Sequence, residues 1–343
     1  MKTTSGFLAK AITYTVLAHC SLVCAPAAPI PAPGFGVETY YTHSTSANIV
    51  SFDRDASNNL YYMTAPPGFG SGIDFWKSSG GTPTNLFSNG SSFAGNSVVK
   101  IGDYVYFNDG NFPVATIRSY GPLTGVAALA PVSTTTNYGL YAGGGGMLIT
   151  ASNPNHIYYS ALAGDGDLVN DPAKDLGETV GNSGPLTLDG AGNLYYAPGF
   201  GDMSVYKFSS AELAAAIANP VTNPLTVAGH QWLDYTAIYG PSGIGGATSM
   251  VFDSQGDLIM SLTNFTGASV AAIFGADGTG AYDGTHATMA TETGRIGELR
   301  NFDGNTYLSS SNGIYKLVPE PGSIAILSVG AGLLALARRR RNC

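Results

Sequence analysis

Apolar residues along this chain gather in short runs bounded by Gly, Asn, Asp and Ser, and one phrase keeps returning. It consists of an apolar pair, an Asp, a small polar turn, and then two or three strand-forming residues. The clearest copies are SFDRDASNNLYYM from Ser51, LTLDGAGNLYYA from Leu186 and MVFDSQGDLIMS from Met250. Weaker copies are VVKIGDYVYFN from Val98, MLITASNPNHIYYS from Met147 and GELRNFDGNTYLS from Gly297. Asn, Asp and Gly at the bend suit a hairpin, and β-branched and aromatic residues suit the strands beside it. The strand centres fall near Leu60, Val105, Ile157, Leu194, Leu258 and Tyr307, spaced 37 to 64 residues apart. After four copies a second strand follows: IDFWKSS from Ile73, ATIRSYG from Ala115, SVYKFSS from Ser204 and VAAIFGA from Val270.

Six hairpins over a body of about 290 residues give a mean period near 48, within the roughly 40–50 residues of a propeller blade. The pattern predicts an all-β chain whose residues 37–317 form a β-propeller of about six blades. Five or seven blades, a β-sandwich and a β-solenoid fit the same alternation. One helix is predicted at residues 209–220, SSAELAAAIANP. Ser209 or Ser210 can cap it, Glu212 sits in its first turn, and Pro220 ends it.

The two ends follow other rules. Residues 1–27 read as a signal peptide, with Lys2 and Lys10 ahead of the mainly apolar stretch Ala11 to Cys24. Ala25-Pro26-Ala27 supplies the small residues of a cleavage site, so Ala25 and Ala27 flank it and the mature chain begins near Ala28. His19 and Val23 precede Cys20 and Cys24 where a lipid-anchoring signal has a small residue, which disfavours a lipoprotein. Residues 28–36 are Pro-rich and read as an extended linker.

At residues 318–343, Val318-Pro319-Glu320-Pro321 precedes the sixteen uncharged residues Gly322 to Ala337, then Arg338, Arg339, Arg340 and Arg341. As a helix, sixteen residues span roughly 24 Å against about 30 Å of hydrocarbon, a short transmembrane helix. Its arginines reach the headgroups and hold that end in the cytoplasm. The prolines keep the preceding segment extended, as a processing enzyme requires. A C-terminal core helix is the rival reading, and its uninterrupted apolar circumference argues against it.

Composition narrows the function. Charged residues make up only 11% of the chain, against roughly 25% in an average soluble domain. The net charge is −8, but residues 28 to 317 hold 9 Lys or Arg against 22 Asp or Glu, a net −13. Such a body repels nucleic acid, whose affinity comes from phosphate neutralisation. Cys20, Cys24 and Cys343 all lie in the end segments, so the body has no disulfide framework.

The order VPEP, short apolar helix, RRRR resembles the PEP-CTERM sorting signal of Gram-negative bacteria. That resemblance implies a partner, an exosortase, which is a membrane cysteine transpeptidase that removes the tail. Val318, Pro319, Glu320 and Pro321 would be the recognition residues, and Arg338 to Arg341 the stop-transfer charges. It also implies a membrane-anchored intermediate, then delivery to the envelope or extracellular matrix, commonly where exopolysaccharide is made. In the body, LTLDGAGNLYYAPGFGDMSVYKFS resembles the blades of NHL-type and gluconolactonase-like propellers. That likeness concerns architecture; no ligand of those sites matches a position here residue by residue.

Candidate chemistry is sparse. GDGDLVNDPAKD carries Asp165, Asp167, Asn170, Asp171 and Asp175, with Glu178 beyond. Asp165, Asp167 and Asp171 are the candidate metal ligands, for calcium, with a solvated acidic turn as the alternative; the EF-hand register is missing. No other cofactor is expected. Asp53, Asp189 and Asp253 of the repeats are read as turn caps, with convergence on a central channel as the alternative. His43, His156, His230 and His286 lack metal-ligand spacing, YAGGGGMLI from Tyr141 lacks the ending of a phosphate loop, and no G-x-S-x-G elbow occurs. The leading expectation is a non-enzymatic binding or structural module at the envelope, with exopolysaccharide as a partner. The alternative is a secreted propeller enzyme of lactonase or quinoprotein type. An enzyme predicts Asp, Glu, Asn or His clustered at a channel mouth; a scaffold predicts small or apolar lining.

Overall fold

The structure, a computed structural model, describes residues 28–66, 72–90, 97–110, 116–121, 125–129, 136–152, 155–163, 173–182, 184–264 and 267–319. Two strands lead the chain, β1 (Ile30–Pro31) and β2 (Phe35–Thr42). The first blade follows with β3 (Asn48–Arg54), β4 (Leu60–Ala65), β5 (Ile73–Ser78) and β6 (Thr84–Asn89). The second holds β7 (Val98–Ile101), β8 (Tyr104–Asn108), β9 (Ile117–Gly121) and β10 (Gly125–Ala128). The third holds β11 (Thr136–Gly143), β12 (Gly146–Ser152), β13 (His156–Ala161) and β14 (Lys174–Glu178). In the fourth, helix α1 (Ser210–Ala218) lies between β17 (Ser204–Phe208) and β18 (Gln231–Asp234), after β15 (Leu186–Leu188) and β16 (Leu194–Tyr196). A four-residue helix, α2 (Thr236–Tyr239), leads to the fifth: β19 (Gly246–Phe252), β20 (Leu258–Thr263), β21 (Ser269–Ala276) and β22 (Tyr282–Glu292). The sixth has β23 (Ile296–Phe302), β24 (Asn305–Ser310) and β25 (Gly313–Pro319).

Each blade is an antiparallel sheet in chain order, and β2 supplies the outer strand of the sixth, next to β25. The inner strands form a ring: β3 neighbours β7, β7 neighbours β11, β11 neighbours β15, β15 neighbours β19, β19 neighbours β23, and β23 returns to β3. The chain is a six-bladed β-propeller. Strand β2 closes the ring by pairing with the last strand, β25, and covers the edge that β25 would otherwise expose.

Six apolar clusters fill the six gaps between blades. Tyr61, Met63 and Phe75 of the first blade meet Val98, Val105 and Phe107 of the second. On the opposite face of β4, Leu60 and Tyr62 meet Tyr307 and Ile314 of the sixth. Blades covered on both faces have continuous apolar strands, such as LYYM and LIMSL, instead of a clean alternation.

The predicted helix is present and one turn shorter than its pattern. Ser209 and Glu212 form a reciprocal capping box, and Glu212 Oε1 also pairs with His230 Nε2 at 2.8 Å. Three features differ from expectation. The copy at Met147 occupies β12 and β13, the second and third strands of its blade, whereas the other copies occupy first and second strands. Residues 28–36 are not a free linker: Ile30 and Pro31 pair with Thr291 and Ala290 along the edge of the fifth blade, and Phe35 and Gly36 pair with Pro319 and Val318. Proline is compatible with an edge strand, where its missing N–H is not needed by the ladder. The ladder therefore runs from Phe35 to Pro319, two residues past each expected boundary of the propeller domain. Among the described residues no helix is long and apolar enough to cross a membrane. The expected signal peptide at 1–27 and the tail helix lie outside them.

Candidate functional site

Four inner strands carry a β-bulge, between Ile49 and Ser51, between Asn137 and Gly139, between Ala247 and Ser249, and between Ile296 and Leu299. A bulge re-aims the side chains beside it. Here Ser51, Ser249 and Glu298 converge: Ser249 Oγ donates to Glu298 Oε1 at 2.7 Å and Ser51 Oγ to Oε2 at 3.2 Å. Arg300, two residues on along the same strand, donates from Nη1 to Glu298 Oε1 and from Nη2 to the Val98 carbonyl, both at 2.8 Å. Its Nε lies 3.9 Å from Asp53 Oδ2, which accepts from the Lys100 amide at 2.8 Å. The two serine hydroxyls in turn accept from the Val98 and Leu299 amides. The cluster joins four blades around the axis.

Burial dominates its electrostatics. Glu298 is 4% exposed. Burial pushes its carboxyl above the usual range, against the opposing pull of Arg300 and the two serine bonds. Asp53 is shifted upward for the same reason, again opposed by Arg300. Burial by itself would lower the Arg300 pKa, but the charges of Glu298 and Asp53 outweigh it and raise it. Tyr141 on β11 is buried close enough to feel both charges, and its phenol is pushed up by burial and then by Glu298. The axial carboxylates are therefore held in ion pairs and hydroxyl bonds.

The repeat aspartates divide. Asp189 Oδ1 accepts from the Ala191 and Asn193 amides, and Oδ2 from Asn193 Nδ2 and the Tyr195 hydroxyl. Asp253 holds the Gln255 and Asp257 amides in the same way. Both are turn caps. In the first blade the cap is Asp55, which binds Ser57, Asn59 and Tyr61. Asp53 belongs to the axis, contrary to its reading as a cap: two residues before Asp55, it still lies on the inner strand. The signal was present in the alignment of DASNNLYY with DGAGNLYY, which matches Asp55 to Asp189. Glu298 and Arg300 were readable as opposite charges two apart on one strand face; their inward placement depends on the bulge.

The histidines stand apart. His43 is buried against Tyr62, 2.9 Å from its hydroxyl, and packs on Trp76. His156 pairs with Asp175 at 2.7 Å, His230 with Glu212, and His286 lies beside Tyr282. The Gly run at Tyr141 forms the hairpin between β11 and β12, with Gly144 and Gly145 at positive φ. Of the acidic cluster, Asp175 and Glu178 lie on β14, while Asp165, Asp167 and Asp171 lie outside the described residues. Among the described residues no three His, Cys, Asp or Glu stand together as a metal site. Val318 and Pro319 end β25; Glu320, Pro321, Arg338 to Arg341, Ala25 and Ala27 lie outside the described residues. A shallow groove of about 450 Å³ runs beside α1, lined by Leu188, Leu213, Ile217 and Lys174.

Several solved structures share the fold. A family AA12 carbohydrate-active enzyme from Trichoderma reesei matches with a TM-score of 0.54 and 13% identity, over 85% of this chain and 98% of that one. A PQQ-bound aldose sugar dehydrogenase from Streptomyces coelicolor matches with 0.53 and 12%, over 84% and 99%. A virginiamycin B lyase from Staphylococcus aureus matches with 0.52 and 11%, over 83% and 99%. At these identities the likeness concerns the fold. No curated protein matches the sequence. The PEP-CTERM protein-sorting motif matches residues 317–341. The chain is a six-bladed β-propeller that carries a PEP-CTERM sorting motif, which marks it as an exported protein directed to the cell envelope.

Proposed function

We propose that an exosortase processes this chain at its C-terminal motif and that the propeller then serves as a binding or structural module at the envelope or in the extracellular matrix. Before processing, the apolar run Gly322 to Ala337 would hold the chain in the membrane. Removal breaks one backbone amide. The acyl half passes to the enzyme's cysteine thiol and on to an acceptor amine or water, and the tail leaves with a new, protonated amine. The observation that carries the non-catalytic reading is the axial cluster: Arg300 pairs with both Glu298 and Asp53, two serine hydroxyls donate to Glu298, and the Lys100 amide donates to Asp53. A general acid or base must reach a substrate proton; these carboxylates face each other's partners. The body's net −13 suits contact with polysaccharide through bridging divalent cations such as calcium.

The rival, a lactonase- or quinoprotein-type enzyme with its site at the channel, draws on the fold likeness and would need these carboxylates freed. The test is cosedimentation of the purified body with envelope polysaccharide, with calcium and with chelator. Calcium-dependent cosedimentation supports the module. Absence of binding, together with turnover of a lactone or sugar substrate that is lost in Glu298→Gln, favours the rival.

A further inference from the structure

The sorting motif does not begin beyond the fold. Its match starts at residue 317, inside β25. On one side β24 pairs with β25 only as far as Leu317, opposite Thr306. On the other, β2 continues the ladder, with Gly36 opposite Val318 and Phe35 opposite Pro319. Val318 and Pro319 are thus paired with β2 alone. The contact is close: a Cβ added to Gly36 would lie 2.8 Å from Val318 Cγ2.

Chain length makes this pairing matter. Two residues, Glu320 and Pro321, separate Pro319 from Gly322, where the apolar run begins. Three Cα steps of about 3.8 Å reach roughly 11 Å, about the diameter of one helix with its side chains. An enzyme that takes Pro319-Glu320-Pro321 as an extended chain must place its own walls between the propeller and the bilayer. It also needs the substrate backbone unpaired, and backbone engaged in a ladder becomes available only by local opening.

We propose that β2 is a clasp on the sorting motif. Release of Phe35 and Gly36 from Pro319 and Val318 precedes tail removal, frees the motif backbone, and lengthens the tether by two residues. The N-terminal strand that closes the ring thereby sets the rate at which the C-terminal tail is processed. This rests on the exosortase reading above.

The test follows tail loss by mass in membranes that contain an exosortase, using the full chain. In Gly36→Val the new side chain forces Val318 away, and tail removal should be 3- to 10-fold faster than in wild type. A second variant carries Gly36→Cys and Val318→Cys with Cys343→Ser. Its oxidised, cross-linked form should be processed at least fivefold more slowly than its reduced form. Thermal melts of both show whether the propeller remains folded; if Gly36→Val does not fold, the cross-link alone decides. Tail loss from wild type, with equal rates in oxidised and reduced forms, overturns the clasp and leaves the processing reading intact. Retention of the tail by wild type overturns both.

Discussion

Asp189 shows how much one side chain decides here. Its carboxylate takes three donors from a five-residue turn and a fourth from Tyr195 on the next strand, and Gly192 supplies the left-handed residue at φ +79. Asp55 with Asn58 and Asp253 with Gly256 repeat the arrangement. Asp189→Ala should lower stability by about 2 kcal/mol, since a charged acceptor leaves several donors unsatisfied; chemical denaturation of the body measures it, and a loss under 0.5 kcal/mol would contradict the turn's role. This motif was legible as a repeat, but its register in the first blade was ambiguous by two residues, because SFDRDAS offers two aspartates. His43 makes a second prediction. Burial lowers its pKa from 6.5, against the raising effect of Asp74; Tyr62, Tyr41 and Trp76 complete its surroundings. The unfolded chain therefore binds the proton more readily, and stability should fall as pH drops below 6.5. His43→Gln should flatten the Tm profile between pH 7.5 and 5; an unchanged slope would show that another group is responsible.

Blades are the natural unit at the next scale. Their hairpins were visible because turn chemistry is local. The misplaced copy in the third blade explains the uneven spacing: with the second strand centred at Ile149, the interval from Val105 is 44 residues and that to Leu194 is 45. The 64-residue interval after Leu194 contains α1, an insertion between the outer strands of the fourth blade. What local pattern could not reveal is the junction between blades, which depends on bulges and on partners over 200 residues apart, such as Arg300 and Val98. Arg300→Met tests that junction. Removing the counter-charge leaves Glu298 and Asp53 buried and unpaired, at a cost of roughly 3–5 kcal/mol at neutral pH. Both carboxyls are raised in the fold, so they bind protons more tightly there than in the unfolded chain. The variant should regain stability relative to wild type as pH falls from 7 toward 4.5. A deficit that stays constant across that range in thermal melts would mean the loss is one of packing.

For the whole molecule, ring closure and sorting meet at one place. The N-terminal strand completes the sixth blade, and the same strand pair ends at the motif. Address and body were separable in the sequence because their compositions differ, with an uncharged run and four arginines against an acidic, Gly-rich domain. Their contact was not, because Pro-rich residues 28–36 read as a linker until the edge strands were seen to pair. The most direct measurement of the central claim is the intact mass of the mature protein recovered from the envelope and the medium. The account predicts a chain that begins near Ala28 and lacks the apolar run and Arg338 to Arg341. A mature chain that retains those arginines would contradict it.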